Sequence, residues 1–148
     1  MLKSERSIVL ADDDSDDCLL FEDALKELAH NIKLTTTNDG MELMDYLDET
    51  VPPPPDVIFL DLNMPRKSGY ECLEEIKSTP RFKDIPVIIF STSSQQEVID
   101  RVYDEGASLY VRKPGSFPKL KQAIEKILAM DYKDITRQPS REKFFVSF

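Results

Sequence analysis

Positive charge is in short supply in this sequence: 19 lysines and arginines stand against 28 aspartates and glutamates, for a formal net charge of -9 and an isoelectric point near 4.6. Such a surface repels phosphate backbones and anionic lipid, so direct nucleic-acid binding and attachment to a membrane surface are both disfavoured. Cysteine occurs only at Cys18 and Cys72, without the spacing of a zinc site or a redox motif, which suits buried, reduced thiols in a cytosolic protein. No apolar run approaches the roughly 18 residues of a membrane span, and the opening MLKSERSIVL lacks a signal-peptide core. The expectation is a soluble, cytoplasmic protein. Its 148 residues, 41% of them hydrophobic, fit one domain with a real core and leave no room for a second folded output domain.

Short apolar runs rich in β-branched residues occur at Ile8 to Ala11, Val57 to Leu60 and Val87 to Phe90, the pattern of central strands buried on both faces. Lys33 to Thr37 and Leu109 to Val111 complete a set of five strands. Between and after them lie helical periods: Phe21, Leu25 and Leu28; Leu43 and Leu47; Leu73 and Ile76; Val98, Ile99 and Val102; Leu120, Ile124, Ile127 and Leu128. Five βα units with right-handed crossovers predict a doubly wound α/β domain, its ligand site at the carboxyl ends of the strands. Val51 and the four prolines after it read as a stiff polyproline spacer. His30 falls at the predicted end of the first helix, where an imidazolium meets the helix dipole favourably.

The strand ends carry the chemistry. The first strand runs into Asp12, Asp13 and Asp14, the third into Asp61, the fourth into Ser91 and Thr92, and the fifth into Lys113 and Pro114. Clustered carboxylates repel by about 4 kcal/mol per pair at 4 Å and an effective dielectric of 20, so they demand a cation or a proton. All-oxygen ligation without His or Cys fits Mg²⁺. A carboxylate can then act as nucleophile toward phosphorus, with a lysine and a hydroxyl stabilising the phosphoryl oxygens; Asp61, Lys113 and Ser91 supply these groups. Asp14, Ser15 and Asp16 are expected to cap the first helix.

The segment from Ile8 to Asp13, the loop Asp61-Leu62-Asn63-Met64-Pro65 followed by Gly69, then Ser91 and Lys113-Pro114, together resemble the receiver domains of two-component response regulators. Ser91 follows Asp61 by 30 positions and Lys113 follows Ser91 by 22, as is usual in that family, and the 22-residue interval favours Ser91 over Thr92. The likeness covers about residues 5 to 130, with residues 131 to 148 as a C-terminal tail. It implies a flavodoxin-like five-stranded parallel sheet of order 2-1-3-4-5 with five helices, and a phosphoryl group accepted on Asp61. It further implies Mg²⁺ held by Asp13, Asp61 and the main-chain carbonyl of Asn63, with Asp12 acting through water. A cis peptide bond before Pro114 and a switch pair, Ser91 and Tyr110, complete what the family pattern implies. The partners implied are a sensor histidine kinase or phosphotransfer protein and a downstream protein target, with a second copy of the chain as a further partner. Asp14 stands where many relatives carry an amide, while Asn63 and Ser93 occupy positions that tune access of the hydrolytic water. A weaker similarity points to stand-alone regulators paired with phytochrome-type kinases.

Other functions fit less well. An aspartate-nucleophile phosphatase needs a second acid where Asn63 stands, and a flavin binder needs a phosphate loop where Asp12 to Asp14 would repel it. A phosphorelay shuttle between histidine proteins remains open beside a terminal effector. The tail ends in Phe144-Phe145-Val146-Ser147-Phe148, too apolar to be left free, and is expected to dock on its own domain or on a second copy.

Overall fold

The computed structural model describes residues 6–28, 31–130 and 138–148; His30 lies outside them. The strands are β1 (Arg6–Ala11), β2 (Ile32–Thr37), β3 (Val57–Leu60), β4 (Val87–Ser91) and β5 (Leu109–Arg112). Alternating with them are α1 (Ser15–Leu28), α2 (Gly40–Thr50), α3 (Gly69–Ser78), α4 (Gln96–Asp104) and α5 (Phe117–Leu128). All the pairings are parallel, and the order 2-1-3-4-5 is the one expected. Residues 141–146, expected to lie outside the five units, add a short helix α6 (Arg141–Phe144) and a strand β6 (Phe145–Val146) that pairs with β5, so the sheet has a sixth strand.

Because side chains alternate across a strand, the continuous apolar runs fill two cores at once. Val9, Ile58 and Ile89 point to the face covered by α2, α3 and α4, where Leu47, Leu73 and Val102 meet them. Ile8, Phe59 and Ile88 point the other way, toward Phe21, Leu25 and Ile124 of α1 and α5. Phe21, Phe59 and Phe90 pack edge to face at centroid distances of 5.0 to 6.2 Å, which fixes α1 over the middle of the sheet.

Local signals position the loops at the carboxyl edge. Asp39 caps α2 by accepting the Glu42 N–H, and Ser68 and Glu71 form a reciprocal capping box at the start of α3. Gly69 is required by contact: a Cβ there would lie 2.1 Å from the main-chain oxygen of Asp61. The proline run between α2 and β3 contains cis peptide bonds at Val51-Pro52 and Pro52-Pro53. The cis bond expected before Pro114 is absent: trans is the lower-energy isomer for proline, and it already brings Lys113 to the acidic cluster.

Candidate functional site

Each candidate side chain sits where a buried strand stops. β1 ends at Ala11, and Asp12 continues its line, its N–H donating to the Thr37 carbonyl at 3.0 Å while its own carboxylate is 1% exposed. β3 ends at Leu60, and the Asp61 N–H still reaches the Ala11 carbonyl at 2.9 Å. The two acids are thus neighbours because β1 and β3 are neighbours. Asp13, exposed, completes a group with Asp12 and Asp61 in which one carboxylate oxygen of each lies within 4.8 Å of the others.

Lys113 closes the cluster from β5. Its N–H donates to the Ser91 carbonyl at 2.8 Å, prolonging the β4–β5 ladder by one residue, and its Nζ lies 2.8 Å from Asp12 Oδ2, 2.9 Å from Asp17 Oδ2 and 3.5 Å from Asp61 Oδ2. Burial works against the ammonium, yet its close contacts with Asp12 and Asp17 and the charge of Asp61 hold it above the usual lysine range. Burial pushes the Asp61 carboxyl up to about 6; Lys113 opposes the rise, Asp12 and Asp13 add to it, and the Leu62 N–H, donating at 2.8 Å, opposes it.

Three carboxylates therefore meet one ammonium, with the Asp13 carboxylate beside Asp12 and Asp61, so negative charge is in excess. A set of oxygen donors with uncompensated negative charge fits a hard divalent cation. Asp14 does not take part in the group: its carboxylate accepts the N–H groups of Asp16 and Asp17 and caps α1, as its place in the acidic run led us to expect. Asn63 stands exposed on the loop after Asp61.

Ser91 is 1% exposed at the end of β4, whereas Thr92 is exposed. The Ser91 Oγ accepts the Ser93 N–H at 3.3 Å, and the Ser93 carbonyl accepts the Tyr110 hydroxyl at 2.8 Å. Tyr110 itself is fully buried, not half-buried as a strand aromatic near an edge would be. Sequence reasoning missed Asp17, whose contact with Lys113 joins positions almost a hundred residues apart; its one signal was its place in the first turn of α1, at the edge where the strand-end acids gather. Cys18 and Cys72 are both buried, which pushes their thiols up to about 11 and about 12 and keeps them protonated.

Comparison with known proteins agrees with this arrangement. The family model of the response regulator receiver domain matches residues 8–125. The response regulator Rcp1 of Synechocystis sp. is 32% identical over 124 residues, spanning 81% of this chain and 84% of its own length. Among solved structures, the phosphorylated cyanobacterial phytochrome response regulator RcpA is similar with a TM-score of 0.77 and 37% identity, over 83% of this chain and 91% of that one. The Mn²⁺-bound form of Rcp1 is similar with a TM-score of 0.76 and 30% identity, over 84% and 93% of the two chains. An acidic group at the carboxyl edge of a 2-1-3-4-5 sheet, matched along most of the chain, is that family's design, and the protein belongs to the response regulator receiver domains of two-component signalling.

Proposed function

We propose that the chain is a phosphoryl-accepting response regulator in which Asp61 takes the phosphoryl group of a phosphohistidine on a sensor kinase or phosphotransfer protein. The P–N bond to the imidazole breaks, a P–O bond to an Asp61 carboxylate oxygen forms, and the imidazole leaves with the electron pair. Water later attacks phosphorus and releases phosphate. The observation that carries this reading is the contact of Lys113 with both Asp12 and Asp61 inside the acidic group. The receiver unit of residues 5 to 130 carries the chemistry, and residues 131 to 148 extend it.

Asp13 and Asp61 would hold Mg²⁺ directly, with the Asn63 carbonyl as a further donor and Asp12 acting through water. The Mn²⁺ bound to the relative Rcp1 supports a divalent cation here. When bound, the cation supplies charge neutralisation for the incoming phosphoryl oxygens. Lys113 balances a further oxygen, and the Ser91 hydroxyl, buried at the edge of the same site, donates to another. The protein then signals by binding a downstream protein target.

Acetyl phosphate or beryllofluoride, offered with Mg²⁺, should modify the wild-type chain at Asp61 and leave Asp61→Asn untouched. Intact-mass analysis showing equal phosphorylation of Asp61→Asn would overturn the assignment. Asp13→Ala should weaken Mg²⁺ binding while leaving the fold in place, as a titration would read.

A further inference from the structure

Lys113 has a carboxylate partner that the phosphoryl-accepting reading does not use. Its Nζ donates to Asp17 Oδ2 at 2.9 Å, a contact nearly as short as the 2.8 Å to Asp12 Oδ2, whereas Asp61 Oδ2, on the acceptor itself, is the most distant of the three at 3.5 Å. Asp17 is fixed in place by its helix. It stands in the first turn of α1, where the Asp14 carboxylate accepts its N–H at 3.2 Å, and Phe21 pins α1 to the sheet against Phe59 and Phe90. The Asp17 carboxylate therefore draws Nζ toward α1 and away from the place where an oxygen carried on Asp61 would need it.

The two short contacts differ in how readily they can be given up. The Asp12 side chain is 1% exposed, so water has no access to replace the ammonium there. The Asp17 side chain is 35% exposed and borders a cavity of about 130 Å³ that Phe90 and Pro114 also line, so water can solvate this carboxylate once the ammonium leaves. An oxygen arriving on Asp61 thus competes with Asp17 for Nζ and leaves the Asp12 contact in place. We propose that Asp17 is a positioning residue that holds Lys113 in the resting site and yields it when Asp61 is occupied. The hydrogen bond from Nζ to Asp17 breaks, one from Nζ to the phosphoryl oxygen replaces it, and the proton stays on nitrogen throughout. The proposal rests on Asp61 as phosphoacceptor. Because the resting bond is lost at each occupation, Asp17 weakens the hold of the site on a phosphoryl group, and occupation of Asp61 in turn frees a carboxylate on α1.

Beryllofluoride binding to the full chain with Mg²⁺, read by fluorine NMR, tests this together with the nitrogen NMR resonance of the Lys113 ammonium. The variant is Asp17→Asn, which keeps the shape of the side chain and loses its charge at a partly exposed position. It should bind beryllofluoride about three- to tenfold more tightly than wild type. The Lys113 Nζ resonance should differ between the two proteins before beryllofluoride is added and coincide at saturation, because the contact with position 17 is then broken in both. Equal or weaker binding by Asp17→Asn, or a difference between the Nζ resonances that survives saturation, overturns the proposal and leaves the phosphoacceptor reading standing. The gain must also pass through the ammonium: in a Lys113→Met background the Asp17→Asn increment should vanish. An undiminished increment there would overturn the proposal by showing that Asp17 acts only as a repelling charge. No fluoride bound to the wild-type chain would overturn both readings.

Discussion

Asp61 is an anion that the metal-free native state disfavours, since burial and two neighbouring acids push its carboxyl from the ordinary 3.8 to about 6. The sign of the linkage follows from that direction. Below about pH 4 the group is protonated in both folded and unfolded chains and carries no penalty; as pH rises through about 6 the folded form must ionise at a cost, and stability falls. For a carboxyl 8% exposed, that penalty is on the order of 2–3 kcal/mol at neutral pH. Asp61→Asn should therefore be more stable than wild type in the presence of a chelator at neutral pH. The difference should shrink as pH is lowered from about 7 to 4, read by urea denaturation at each pH. Equal midpoints at neutral pH would show that Lys113 compensates the buried charge in full.

At the scale of elements, the loop between β3 and α3 is where geometry leaves least freedom. Gly69 N–H donates to the Leu62 carbonyl at 2.9 Å, the Ser68–Glu71 capping box fixes the first turn of α3, and Arg66, at φ 64°, is held by Asp39 through two hydrogen bonds of 3.0 and 3.1 Å. Asp39 thus caps α2 and steadies the loop after Asp61 with the same carboxylate, which Arg66 and the Glu42 N–H keep below the usual carboxylate range. Gly69→Ala cannot be accommodated by moving a flexible side chain, because the new Cβ meets the Asp61 main chain itself. We expect a loss of roughly 1–3 kcal/mol in thermal or chemical unfolding and slower modification by acetyl phosphate, since the displaced atom belongs to the acceptor residue. A Gly69→Ala protein with wild-type stability would mean that the loop has slack that the contacts do not suggest.

For the whole molecule, the C-terminal segment adds buried Phe144 and half-buried Phe145 to the core under α2 to α4, and half-buried Val146 and Phe148 to the core under α1 and α5, while the centre of both cores comes from the five βα units. Removing everything after Met130 should leave the five βα units folded and uncover Tyr103 and Tyr110. The melting temperature should fall by a few degrees, the loss being limited to the docking free energy of a segment that can open locally. An unchanged melting curve would place the segment's role outside stability. A change in oligomeric state on light scattering would show that the uncovered face recruits a second copy.

The five βα units were legible because strands buried on both faces write uninterrupted apolar runs that few other structures produce, as at Val57 to Leu60 and Val87 to Ser91. The residues that end those runs were legible for the same reason: a parallel sheet brings every strand's carboxyl end to one edge, so Asp12, Asp61, Ser91 and Lys113 could be placed together from order alone. Tertiary structure decided what has no period. The pairing of Lys113 with Asp17, the trans bond before Pro114, the complete burial of Tyr110 and the docking of Phe144 on Tyr103 all depend on contacts between distant segments. The sequence could say that the final aromatics needed a cover; only packing around β5 chose which surface provides it, because aromatic docking and edge-strand pairing depend on the shape that the folded sheet presents.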